Sequence, residues 1–338
     1  MVNCPDFTKS NCRNPISGPC PPQIWSLLLL LIGMTVSPEP ARACSSCGCS
    51  LNSDWSTQGY TGGTGLRFDF RYDFFNQNEL RTGTGTVDRG SIVLPPDREI
   101  QQKTINRNYM FGLDYSPNPD WGVNLQVPYF DRFHTTIAED DSDISTSDRA
   151  GIGDIRVIGR YQGPLAYGFG LQLGLKFPTG GFDQNFIAGP QAGNLLDRGL
   201  QLGTGSTDLI FGVYRFGEIA QDWNYFGQAL FQIPVATQDD FRPGNGLNLN
   251  AGVRYGGIKY FAPLLQFNMR AEEAESGALA DVDNSGAVLL NISPGISVPV
   301  TPKLHLYGFV QIPIYENVKG FQLEPDYTAS VGLSYALW

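Results

Sequence analysis

No cysteine follows Cys49, so no disulfide framework can brace the body of this chain. Basic side chains are scarce as well: 23 Lys and Arg stand against 33 Asp and Glu, a net charge of −10. That balance argues against a nucleic-acid partner, which needs a basic surface. There are only 2 histidines, and neither a G-x-S-x-G elbow nor a G-x-x-x-x-G-K-[ST] loop occurs. Nucleotide-driven work is thereby excluded, and an enzyme is not expected. No apolar run reaches the roughly twenty residues that a membrane-spanning helix requires. A convincing helical period is missing throughout.

The longest apolar run, IWSLLLLLIGMTV at 24–36, is of signal-peptide length. Lys9 and Arg13 precede it, and Ala41-Arg42-Ala43 follows as an A-x-A cleavage pattern. These features predict a secretory signal over 1–43, cut before Cys44. Without it the chain carries 20 basic and 31 acidic residues. A Gly- and Ser-rich segment over 44–64 follows, on the periplasmic side and able to enter a lumen as a plug.

From residue 65 onward the chain alternates. In GLRFDFRYDFF, Leu66, Phe68, Phe70, Tyr72 and Phe74 point one way, and Arg67, Asp69, Arg71 and Asp73 the other. Twelve such segments are expected, at 65–75, 104–115, 120–131, 153–163, 166–178, 204–216, 222–234, 246–257, 260–270, 286–300, 303–314 and 326–338. Short gaps such as SPNPD and GGIK alternate with long ones at 76–103, 132–152, 179–203, 235–245, 271–285 and 315–325. Short turns at one rim and long loops at the other are the pattern of a transmembrane β-barrel, with the long loops outside the cell. Aromatics near segment ends (Trp121 and Tyr129, Trp223 and Phe231, Tyr327 and Tyr335) suit interfacial girdles. A secreted β-sandwich would alternate too, but it needs neither the girdles nor the long and short loops in turn. The expected fold is therefore all-β: a single antiparallel outer-membrane barrel over 65–338 with about 12 strands. A bulge near Ala336 would place the terminal Trp338 on the apolar face.

Three stretches, GIGDIRVIGRYQ (151–162), GLQLGLKFPTG (170–180) and LDRGLQLGTGSTDLIFGVYRF (196–216), resemble the meta-pathway phenol-degradation family of outer-membrane transporters. The resemblance implies a barrel and a passive transport role, with small apolar or aromatic solutes as cargo. Within the matching motifs, Asp154, Arg156 and Arg160, then Asp197, Arg198 and Asp208, are the polar positions. Ion pairs between strands near the lumen, and folding of the third long segment, are their expected roles.

The lumen is the first candidate site. Twelve strands are intermediate between a filled interior and an aqueous channel. Arg67, Asp69, Arg71, Asp73, Asp154, Arg156, Lys176, Arg254 and Arg270 are expected to face inward. His134 is expected at the start of a long outer loop, and His305 on an inward face beside Tyr307 and Phe309. The acidic stretches AEDDSDISTSD and AEEAESGALADVDNSG are expected as solvated outer loops that share divalent ions with lipopolysaccharide. DVDNSG (281–286) matches half of a calcium loop, but Ile292 stands where the closing glutamate is required. Cys44, Cys47 and Cys49 are the second candidate. Their CxxCxC spacing suits a soft metal, copper or zinc, with Asp54 as a further ligand. An oxidised structural cluster, an acylated Cys44, or docking of a periplasmic redox partner are the alternatives.

Overall fold

Alternation becomes wall in the computed structural model, which describes residues 57, 58, 64–163 and 168–338. The expected signal segment and Cys44, Cys47 and Cys49 lie outside these residues. The strands are β1 (Gly65–Gly83), β2 (Gly85–Thr86), β3 (Ile100–Ser116), β4 (Trp121–Ile137), β5 (Ser145–Ile152), β6 (Ile155–Tyr161) and β7 (Phe169–Phe177). They continue with β8 (Thr207–Ala220), β9 (Trp223–Ala236), β10 (Gly246–Tyr255), β11 (Ala262–Glu272), β12 (Ala287–Pro299) and β13 (Leu304–Ala336). Every pairing between them is antiparallel, and β13 pairs with β1, so the sheet closes on itself. Eleven elements form the closed wall, while β2 and β5 lie off its path.

β13 is long enough to run up the wall and back. Its first part pairs with β12 and its second with β1. The Ala336 amide donates to the Lys303 carbonyl at 2.8 Å, which ties the two limbs at their open end. Gly320, with φ +62°, sits at the turn between them, where a Cβ would strike Asn284 and the Asp283 carbonyl. With the limbs counted separately the wall has twelve passes.

Which face is which follows from exposure. Leu173 (63%), Val331 (57%) and Ile312 (44%) point outward, whereas their strand neighbours Gln172, Ser330 and Gln311 are at most 5% exposed. An apolar outside around a polar inside inverts a soluble protein and matches a barrel in lipid. Aromatic pairs mark the two interfaces. Trp121 meets Tyr161 at 4.5 Å and Trp223 meets Tyr255 at 5.0 Å near the short-turn rim. Tyr72, Tyr109 and Tyr129 form a ladder, at 5.1 and 6.0 Å, nearer the other rim.

Several expectations need correction. The strands run well past the apolar band, so much of the expected outer loops is strand. β1 extends to Gly83, β4 to Ile137, β5 occupies 145–152, and 315–325 lies wholly within β13. Past the bilayer the outer face needs no apolar residues, so the alternation that marks a membrane strand fades there. No register shift occurs near Ala336; the strand ends there and Trp338 runs on, 68% exposed, beside Gly65.

The many glycines have a local use. Inward positions Gly170, Gly252 and Gly295 lie beneath the rings of Tyr214, Phe226 and Phe309, each from an adjoining strand, and Gly332 lies beneath Tyr307 of the other limb of β13. A Cβ at any of the four would come within 2.5 Å of the ring. Gly295→Ala should drive Phe309 off the wall and destabilise the barrel by about 1–3 kcal/mol, as overpacking does. A lowered urea midpoint would register it.

Candidate functional site in the lumen

The three family-like stretches converge on one place. β5 and β6 would be one strand but for Gly153 and Asp154, where the chain breaks and Asp154 turns inward. Asp154 accepts from the Gly180 amide at 3.0 Å, the Thr204 amide at 2.9 Å and the Thr204 hydroxyl at 2.7 Å. Lys176 Nζ lies 3.4 Å from Asp154 and 2.8 Å from Asp208, all three being at most 7% exposed. Ser206 donates to Asp208 at 2.6 Å. Beside this knot three glycine backbones touch: a Cβ on Gly180 would meet Gly203 Cα at 2.6 Å and Gly153 Cα at 3.0 Å.

The knot roots the segment between β7 and β8, which folds inward over 178–206. Leu196, Arg198, Leu200, Gln201 and Leu202 are buried. Arg132, projecting inward from β4, accepts nothing and holds much: it donates to Asn106 at 2.8 Å and to the carbonyls of Gln201 (3.2 Å) and Gly199 (3.4 Å). Arg198 reaches Asp239 at 2.8 Å and lies over the rings of Phe182 and Phe241. A charge so placed is both paired and stacked.

Asp197 begins the short 3₁₀ turn Arg198–Leu200 without capping it by its side chain. The nearby negative charge of Glu99, with Asp281 adding to the repulsion, raises the Asp197 carboxyl above the usual carboxylate range, although its side chain is exposed. His134 is fully buried; Thr104 Oγ1 lies 2.8 Å from its Nδ1, and its Nε2 lies 3.9 Å from Glu99. The expectation of His134 in an outer loop is thus corrected: β4 carries it onward, facing in.

The remaining expected lumen residues take these positions. Arg71 donates to Asp73 at 2.9 Å, and Asp73 accepts from Ser330 at 2.6 Å. Arg270 pairs with Glu272. Arg67, Asp69, Arg156 and Arg254 are half-buried, as is His305, nearer the short-turn rim. Arg160 forms a bidentate pair with Asp114 and reaches Ser116 at 2.7 Å. Asp114, Glu99, Arg132 and Thr204 were missed by sequence reasoning. Only Thr204 had a signal, its alternation with Ser206 and Asp208. DVDNSG is a local turn in which Asn284 donates to Asp281 at 3.1 Å, and among the described residues no cluster of His, Cys, Asp and Glu could hold a metal ion.

Apolar side chains also reach inward. Ile158 of β6, Ile210 and Tyr214 of β8, Phe226 of β9, Leu264 of β11 and Phe309 of β13 are buried on inward faces of the wall. The lumen thus has an aromatic, aliphatic sector toward the short-turn rim and a polar sector opposite.

No protein-family model matches the chain, and no curated protein matches it. Among solved structures, an outer-membrane channel from Pseudomonas putida F1 is similar with a TM-score of 0.60 at 12% identity, covering 85% of this chain and 99% of that one. The P. putida toluene transporter TodX is a looser likeness, with a TM-score of 0.46 at 9% identity over 88% and 99% of the two chains. The apolar belt, the closed wall and the first of these likenesses agree: the chain is a β-barrel of the bacterial outer membrane, built on the fold of a channel.

Proposed function

We propose that the barrel is a passive channel for small apolar or aromatic solutes, with segment 178–206 as its closing element. The observation that carries this reading is the segment itself, folded into the lumen and rooted on Asp154, Lys176 and Asp208. A purely structural barrel gains nothing by sending a loop of this length inward. The buried apolar sector, from Ile158 round to Phe309, gives an uncharged ring compound a surface to follow, and the opposite polar sector keeps the lumen wettable.

The test is bilayer conductance together with uptake of a small aromatic into proteoliposomes. The full chain should conduct weakly, and a form lacking 183–200 should conduct severalfold more and admit the aromatic faster. Equal, negligible permeability of both forms would make the barrel a sealed one.

A further inference from the structure

The lipid-facing side of the wall is not smooth. A cleft of about 700 Å³ opens there across β6 to β10, within the roughly 300–1,000 Å³ usual for a ligand site. Small residues, Gly159 of β6 and Ala229 of β9, leave it open between Leu173, Phe211 and Phe231, and Trp121 and Tyr161 line its end nearer the short-turn rim. Packing within the barrel does not require a glycine at 159. A Cβ there would meet nothing closer than the Leu173 carbonyl at 3.5 Å, unlike the inward glycines that lie beneath rings.

Arg215 stands at the rim end of this cleft. It takes the next outward position after Val213, itself a lining residue, with Phe169 of β7 and Gly227 of β9 opposite it. The other arginines and lysine of these strands, Arg156, Arg160, Lys176 and Arg254, have the inward parity. Arg215 is exposed, and no ion pair or hydrogen bond engages it among the described residues. An outward arginine in the apolar band is costly unless its guanidinium snorkels to the interface. The phosphates of the periplasmic leaflet lie at that rim, and a guanidinium fork matches a phosphate.

We propose that the cleft and Arg215 together bind one phospholipid of the periplasmic leaflet, an acyl chain lying along Gly159 and Ala229 and the phosphate on Arg215. Hydrocarbon surrounds the whole barrel, so burial alone selects no lipid; close packing in a concave face and one fixed charge do. The site needs this face to be in lipid but does not rest on the channel reading.

Native mass spectrometry of the full chain in detergent, titrated with phosphatidylglycerol, tests this. One lipid should bind ahead of all others. Arg215→Gln should weaken that first binding about fivefold, and Arg215→Lys should keep most of it. Gly159→Leu and Ala229→Leu, which fill the cleft with apolar bulk on an outward face, should each weaken it at least as much. Diacylglycerol, with the chains but not the phosphate, should bind more weakly and be indifferent to Arg215→Gln. Lipids that add one after another with equal affinity, or a first binding that none of these substitutions changes, would overturn the proposal. A barrel dimer that Gly159→Leu abolishes would overturn it too, by making the cleft a contact between copies. Conductance enters none of these readouts, so failure here leaves the channel reading intact.

Discussion

Lys176→Met is expected to lower the stability of the barrel by about 3–5 kcal/mol, the usual consequence of stripping a buried charge of its partner. Lys176 is 3% exposed and sits between Asp154 and Asp208, at 7% and 0%. Methionine matches the stem of lysine in volume, so the loss is of charge and hydrogen bonds rather than packing. Both carboxylates would remain, with only amide and hydroxyl donors to face them: Gly180, Thr204, Ser206 and Gln232. The root of the infolded segment should loosen and conductance should rise. Asp208→Asn in the same background should recover part of the loss, since one stranded charge is then removed. The urea midpoint in detergent or lipid measures both forms; an unchanged midpoint for Lys176→Met would mean that the knot contributes nothing net.

Leu173→Arg should be of similar size for a different reason. Leu173 lies mid-strand on β7, 63% exposed, flanked by the outward Leu171 and Leu175. An arginine facing the middle of the hydrocarbon costs about 2–4 kcal/mol. The same change on a soluble surface would cost almost nothing. Folding equilibria into lipid vesicles should show the full penalty for Leu173→Arg and little for an arginine at the exposed Thr82, beyond the apolar band near the end of β1. A tolerated Leu173→Arg would remove this face from the membrane.

How legible was this in the sequence? The wall was, because side-chain period is local: Leu66 to Asp73 declares its two faces without reference to anything distant. The burial of Arg71 and Asp73 follows the same parity. The upper barrel was obscured because strands beyond the lipid carry polar residues on both faces, as in NQNELRTG of β1. The candidate site was half visible. Its residues fell within the three motif stretches, yet nothing in spacing says that Asp154, Lys176 and Asp208 meet, since their strands first have to curl and pair. Glu99 and His134 carried no signal, being brought to 3.9 Å of each other only by the pairing of β3 with β4 beyond the expected strand ends. The phenol-degradation resemblance remains one of sequence stretches, without a matching family model.

The fold-back of β13 imposes an order of events on the molecule. Its second limb seals the wall through contacts such as Ser330 to Asp73, 257 residues apart, and Gln77 to the Leu323 carbonyl, 246 apart. Closing so long a loop costs chain entropy that no earlier hairpin repays. Until the last 33-residue element arrives, β1 and β12 both present bare edges, and hydrocarbon tolerates neither. Zipping and insertion must therefore be one process, with its terminal step written in the final tenth of the polypeptide. A chain halted before Leu304 would keep every earlier hairpin and still have no form that could live in a bilayer.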